Sequence, residues 1–443
     1  MIMDLDAPTP LAEWTARNAA LLSASASASG ADAGADAPAD DLVPLGRLVG
    51  NARVVALGES SHLIREYGLL RDRMLRFLIH EYGFTVYALE LSTVSGRAVD
   101  AWTRGGDGDL DALLAPHAGG YPSQSAEGRD TLRWLRDHNT TATRPVHVAG
   151  LDVPAAGGSL APVLEPVARS LAGIDPRGAR QARTALELSE PLAGGSGLAS
   201  AQARLGLDTA VQDRLSSALG QLLNRVTVMR ETYIDFMGRT LYEDVVQDVW
   251  AAWRTDQMQR AMAALFDGKP DAVDLSARDR YLADSVLKLL ERSAPDARIV
   301  LTAHNAHIPR TTNPEGTPLP RVPMGHALAR QLGQDYVSVA MTSGGGRTVK
   351  NELDPAHPAG MRQSAIDAPA VVPNSVEALF AATSTAPGMV DTRVMRAHAR
   401  QHGLPEPTQM RMDDGFLPVA ALDAYDAVVC VPRTTLSADL TGS

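Results

Sequence analysis

Five acidic and imidazole side chains stand at the ends of apolar runs: Glu59 and His62 after Arg53–Leu57, Glu90 after Thr85–Leu89, and His304 and His307 after Arg298–Thr302. Each run reads as a short buried strand, and in open α/β sheets ligands sit beyond the carboxyl ends of the strands. The three ends are therefore expected to deliver these residues to one crevice. Carboxylates and imidazoles converging there point to acid–base hydrolysis or to a metal site.

Each residue also has a plainer reading. Glu59 and His62 are three apart in a turn before a helix, where a carboxylate can hydrogen-bond the imidazole, fix its tautomer and raise its basicity. A glutamate near a helix start is also ordinary dipole compensation. Charged groups rarely end an apolar strand unless they are paired or used, so Glu90 is either a site residue or a buried ion pair to an arginine such as Arg71. His304-Asn305-Ala306-His307 can ligate zinc, with Glu59 and His62 completing the set. It can equally place one imidazole as an acid or electrophile and use the other as a structural donor. Asp152, at the end of Val146–Leu151, points into the crevice or caps the next helix. Ser60 and Ser61 lie outside any G-x-S-x-G, so no nucleophile elbow is expected. Asp107–Asp111 imitates a calcium loop but has Ala112 and Ala118 at the turn and bidentate positions, and reads as a turn.

The elements that must position these residues follow an alternating strand and helix order up to Asp152, the grammar of a mainly parallel sheet covered on both faces. Apolar residues at helical spacing predict a helix over Ile64–Tyr82, capped by Gly83, with further helices near Val94–Arg104 and Ser125–His138. From about Gly158 to Asp274 strand patterns disappear and helical ones dominate: Arg177–Ser189, Ala199–Arg230 and Leu241–Phe266. This block is expected to be a cap or lid over the cleft, with Trp250, Trp253, Met258 and Met262 mostly in its own core. The core then resumes with a helix at Arg278–Arg292, the Arg298–Thr302 strand, a Pro-rich loop at Pro309–Pro323, a helix at Gly325–Gly333 and strands at Tyr336–Met341 and Ala427–Val431. The expected organisation is a helix and low-complexity loop over 1–41, an α/β core over 42–157 and 275–443, and the helical insertion over 158–274.

Composition limits the partners. A chain of 443 residues exceeds one ordinary core, and its formal charge of −11 leaves no basic block for nucleic acid or an anionic membrane. No apolar run is long enough to span a bilayer, and the N-terminus lacks a signal-peptide pattern, so a cytoplasmic protein is expected. The lone Cys430 excludes a disulfide framework or a cysteine-based metal cage.

Taken together, Val54–His62, Glu66, Leu69-Leu70-Arg71, Ala88-Leu89-Glu90, Gly150-Leu151-Asp152, Arg278–Ala283, Ala303–His307 and Tyr425–Val429 resemble the erythromycin esterase family, hydrolases that open macrolide lactones. Two departures stand out: Leu63 replaces a frequent glycine after the first histidine, and Leu282 and Ser285 alter the R-D-x-x-M-A-x-N pattern. The resemblance implies an α/β core with a helical insertion, and metal-independent hydrolysis with Glu59, His62, Arg71, Glu90 and His304 at the site. Arg278, His307 and Asp152 are expected to contact substrate. No cofactor is expected, with zinc as the alternative, and the partner is a small ester or lactone. The mechanism expected is water attack, with His62 as base, oriented by Glu59 or Glu90, and Arg71 and His304 stabilising the oxyanion. Tailoring of another natural product by ester or amide hydrolysis or acyl transfer is the second reading, and a non-catalytic binding protein the third. Oligomeric state is not legible.

Overall fold

The computed structural model describes residues 8–23, 39–114, 125–269, 276–312, 321–354, 356–357, 359–383 and 385–438. The low-complexity stretch after Ser23 falls largely outside them, as does most of the Pro-rich loop. An eight-stranded sheet holds β1 (Ala20–Leu21), β2 (Val54–Glu59), β3 (Val86–Ser92), β4 (His147–Asp152), β5 (Ile299–His304), β6 (Tyr336–Ser343), β9 (Gly388–Asp391) and β12 (Ala427–Val431). Their spatial order is β1-β9-β12-β6-β2-β5-β3-β4. The six strands from β12 to β4 are parallel, and β9 and β1 add an antiparallel edge.

The central strands are continuous apolar runs because both of their faces are covered. Val55 and Leu57 of β2 point into one core with Tyr67, Leu70 and Met74 of the helix Arg65–Tyr82. Val54 and Ala56 point into the other, with Leu282, Ala283 and Val286 of the helix Ala277–Arg292. Gly83 ends the first of these helices in the left-handed conformation at φ +65°.

Between β4 and β5 lie the helices Ala161–Ala172, Pro176–Ser189, Gly197–Leu205, Thr209–Val228, Arg230–Met237 and Arg239–Phe266, ahead of the sheet-packed Ala277–Arg292. The helix expected over Ala199–Arg230 is broken at Gly206–Asp208. The block has its own core, including Val163, Leu215, Leu219 and Val249. Trp250 and Trp253 stack at 5.2 Å under Arg254 and pack against that core. The block meets the rest of the chain at several points: the Gly157 carbonyl, just after β4, accepts from Gln259 Nε2 at 2.6 Å, and Arg97, in the helix after β3, pairs with Asp248 at 2.8 Å. No described helix is long and apolar enough to cross a membrane.

The region between β6 and β12 holds more structure than its sequence predicts. Two hairpins leave the sheet there: β7 (Arg347–Leu353) with β8 (Met361–Asp367), and β10 (Gln409–Met412) with β11 (Gly415–Pro418). The β7–β8 hairpin starts beside the end of β6, and Ala359, near its tip, accepts a hydrogen bond from Ser196 Oγ of the helical block at 2.5 Å. Seven residues per strand reach about 23 Å, against about 19 Å for the four inter-strand steps from β6 to β4. The hairpin is therefore long enough to run from the end of β6 to the helical block beyond β4, as a strap.

Candidate active site

Parallel pairing sets the site before any side chain is considered. Glu59 and His304 are register partners at the ends of β2 and β5. The register of β3 against β4 slips between Leu89 and Ser92, an irregularity of the kind that re-aims a side chain, and Glu90 sits within it. A Cβ on Gly58 would lie 2.1 Å from Asn305 Oδ1, so only glycine lets the two strand ends approach this closely. Asn305 itself ties β5 to β6, its Nδ2 donating to the Met341 carbonyl at 2.9 Å.

His62 lies in the turn after β2, ahead of the helix that begins at Arg65. Its Nδ1 meets Glu59 Oε1 at 2.8 Å, so Nδ1–H donates to the carboxylate and Nε2 carries the lone pair. The other oxygen of fully buried Glu59 pairs with Arg71 Nη1 at 2.7 Å. This corrects the role expected of Arg71. Its side chain does reach back towards the helix start, but the residue is 5% exposed and its guanidinium is paired with Glu59. Burial opposes the ionisation of Glu59, but Arg71 and His62 outweigh it and keep the carboxyl below its ordinary range. Burial likewise disfavours a charged His62, yet the hydrogen bond and charge of Glu59, then Glu90 and Asp413, raise its pKa.

His304 is held differently. Its ring lies 5.3 Å from that of His62, edge to face. Nδ1 accepts from the Ala306 N–H at 3.2 Å and Nε2–H donates to the Ser60 carbonyl at 3.0 Å. Both nitrogens are thus engaged by backbone, and the expected oxyanion donor has its proton committed.

Glu90 does not pair with Arg71. One oxygen accepts from the His304 backbone N–H at 2.9 Å and the other from Arg278 Nη2 at 2.7 Å. His307, then Arg278 and His62, overcome burial to push its carboxyl far below the ordinary range. Arg278 is also clasped by Asp152 through Nε at 2.9 Å and Nη2 at 2.5 Å, while its Nη1 donates to His307 Nε2 at 3.2 Å. His307 Nδ1 in turn donates to Asp279 at 2.7 Å, and Arg321 grips the other oxygen of Asp279. Burial of Asp279 is outweighed by His307 and Arg321, and its carboxyl falls to about 2. Asp152 and His307, expected at the substrate, are 4% and 5% exposed and hold Arg278, whose side chain is 29% exposed.

Sequence reasoning missed Asp279, Arg321 and Asp413. Asp413 occupies the β10–β11 turn, with its N–H on the Ser60 carbonyl at 2.6 Å and Oδ1 3.5 Å from His304 Nε2. Asp414-Gly415 between alternating apolar residues is a hairpin signal that marks this turn. Asp279, next to Arg278 in the matched motif, was readable as a neighbour of a site residue. Arg321 follows the Pro-rich loop and had no signal.

Five carboxylates (Glu59, Glu90, Asp152, Asp279 and Asp413) thus face three guanidiniums (Arg71, Arg278 and Arg321) around three imidazoles. That excess of negative charge favours a proton on His62, whose pKa is raised above its ordinary value. Such an arrangement can take a proton from water beside a fixed cation. Among the described residues no group of three or more His, Cys, Asp or Glu is disposed to hold a metal ion. A cavity of about 760 Å³ opens at the opposite, amino-terminal ends of β3 and β4 and shares none of these residues.

Comparison with known proteins agrees with the sequence resemblance. The profile of the erythromycin esterase family matches residues 79–434, a span that begins after the His62 turn and includes Glu90, Arg278, His304 and Asp413. Among curated proteins, erythromycin esterase type II of Escherichia coli is 29% identical over 404 residues, covering 90% of this chain and 93% of the relative. Erythromycin esterase type I of the same organism is 25% identical, with coverages of 87% and 92%. Two solved structures share the fold. An erythromycin esterase mutant in its open conformation has a TM-score of 0.79 at 23% identity, covering 91% of this chain and 96% of that one. A succinoglycan biosynthesis protein has a TM-score of 0.70 at 17% identity, with coverages of 96% and 97%.

Proposed function

With the chain a member of the erythromycin esterase family, and so a carboxylic ester hydrolase, we propose that it opens a macrolide-type lactone with water activated by His62. The observation that carries this reading is the Arg71–Glu59–His62 line, which sets Nδ1–H on a buried, arginine-held carboxylate and so makes Nε2 the basic nitrogen. His62 takes the proton as the water oxygen bonds to the ester carbonyl carbon, and later returns it to the departing alkoxide. The products are a carboxylic acid and an alcohol on one opened ring.

The charge that develops on the carbonyl oxygen falls to Arg278. Of its five N–H groups, four are engaged, by Asp152 twice, by Glu90 and by His307, so the second N–H of Nη1 faces the substrate. A guanidinium at that place supplies the positive charge that a metal would otherwise give, and we expect hydrolysis to need no cofactor. The helical insertion is the surface against which the apolar body of a large lactone would rest.

The test is incubation of purified protein with a 14-membered lactone, followed by mass spectrometry. A product heavier by one water supports the reading. No change with any lactone, alongside cleavage of unrelated esters, would mean that the substrate is another ester.

A further inference from the structure

We propose that Asp413, delivered by the β10–β11 turn, is a positioning residue of the hydrolytic site: it holds His304 against the Ser60 carbonyl and supplies the unneutralised carboxylate charge beside His62. This rests on the reading of His62 as the base.

The backbone is the first observation. Asp413 has φ +51°, the left-handed region, in a two-residue hairpin turn where Asp414 keeps a negative φ. Glycine, asparagine and aspartate are the residues that take that conformation in hairpin turns. Aspartate tolerates that region, so the turn can present a carboxylate here at little cost in strain.

The second observation is how the turn is anchored. The Asp413 N–H donates to the Ser60 carbonyl at 2.6 Å, two residues before His62, and its own carbonyl accepts from Thr348 Oγ1 of β7 at 3.0 Å. The Ser60 carbonyl thereby receives two donors, Asp413 N and His304 Nε2. The Asp413 carboxylate stands 3.5 Å from that same Nε2. Movement of this hairpin would move the His304 ring with it.

The third observation separates Asp413 from the other carboxylates. Among the described residues, the charged and titratable groups facing His62 include Glu59 from β2, Glu90 from β3, His304 from β5 and Asp413 from the hairpin, with Arg71 behind Glu59. Glu59 is neutralised by Arg71 and Glu90 by Arg278. Asp413 pairs only with His304, and among the described residues no arginine or lysine meets it. When His62 gains a proton, Asp413 is the carboxylate whose charge is uncompensated. Its own carboxyl stays below the ordinary range, burial being outweighed by His304 and His62, so it is ionised throughout the working pH range.

Asp413→Asn keeps the side-chain shape and its tolerance of positive φ but removes the charge. Asp413→Gly relaxes the turn and removes the side chain. In full-length protein, NMR titration of the imidazoles should show His62 titrating at lower pH in both variants, by about half a unit or more. The acid limb of kcat/KM for ester hydrolysis should move the same way, kcat should fall several-fold, and the melting temperature of the Gly variant should not fall. Titrations that superimpose on wild type would overturn the proposal, as would a Gly variant that loses stability and activity together with an unmoved His62. The NMR readout needs no turnover. A wild-type protein that hydrolyses no ester would therefore remove the proposed function and leave the Asp413 result to stand or fall separately.

Discussion

His62 and His304 stand 5.3 Å apart, yet the turns that carry them treat the two rings differently. The turn after β2 gives His62 one carboxylate partner, itself held by an arginine. The turn after β5 gives His304 two backbone partners, an amide donor on one nitrogen and a carbonyl acceptor on the other. A carboxylate stabilises a ring that must gain a proton. A backbone donor and acceptor fix a ring's orientation, here with the Asp413 carboxylate 3.5 Å from the same Nε2. The same residue type at two neighbouring strand ends is thus prepared for chemistry in one case and for geometry in the other.

The largest effect should fall on the first ring. His62→Asn is expected to lower kcat/KM by at least about a hundredfold, the scale of losing a general base. His304→Asn, whose amide can keep one of the two backbone bonds, should lose about one hydrogen bond's worth, roughly tenfold in rate. Steady-state kinetics on one ester would decide, and equal losses would erase the contrast.

Arg278 probes the other side of the cleft. Arg278→Met leaves Glu90 and Asp152 buried without their cation, and should destabilise the protein by about 3–5 kcal/mol. Urea unfolding at neutral pH measures this. The lowered carboxyls of Glu90 and Asp279 contribute stability that is present above their unfolded values near 4 and is lost as pH falls through their folded ones. The variant's deficit should therefore shrink in acid. An unchanged unfolding midpoint would show that the network around Arg278 is looser than its distances imply.

The floor of the site was legible in the sequence because its physics is local. Continuous apolar strands buried on both faces end in Glu59, Glu90, Asp152 and His304, and the period of two places alternate residues in two cores. Partner choice was not legible. Arg71 and Arg278 both precede strand ends in plausible reach of Glu90, and only the fold brings Arg278 to it and Arg71 to Glu59. The strap was also hidden. The strands β7 and β8 are polar, two-stranded and largely exposed, so they carry none of the apolar signal that marks the sheet. The β1 and β9 edge is short for the same practical reason: two and four residues give no period to read.

Two smaller substitutions sharpen the comparison of the turns. Gly58→Ala would put a methyl group against Asn305, pushing β2 from β5 and upsetting the Glu59–His304 register. A loss of about 1–3 kcal/mol is expected by thermal unfolding, typical of overpacking. Leu63 adopts φ +60° while only 9% exposed. Leu63→Gly should release about 1–2 kcal/mol of left-handed strain while losing about 1.5–3 kcal/mol of burial. The net loss should be about 1 kcal/mol. A full cavity penalty of about 2–5 kcal/mol would show that the His62 turn is relaxed around its leucine.

The most direct test of the account is the pH dependence of kcat/KM in wild type and the two histidine variants. His62 is raised above its ordinary value of 6.5, and a base acts when unprotonated. Wild-type kcat/KM should therefore rise with pH through a midpoint above about 6.5. The same limb should persist in His304→Asn and be absent from the residual activity of His62→Asn. A limb that survives in His62→Asn, or that vanishes in His304→Asn, would contradict the assignment of His62 as the base.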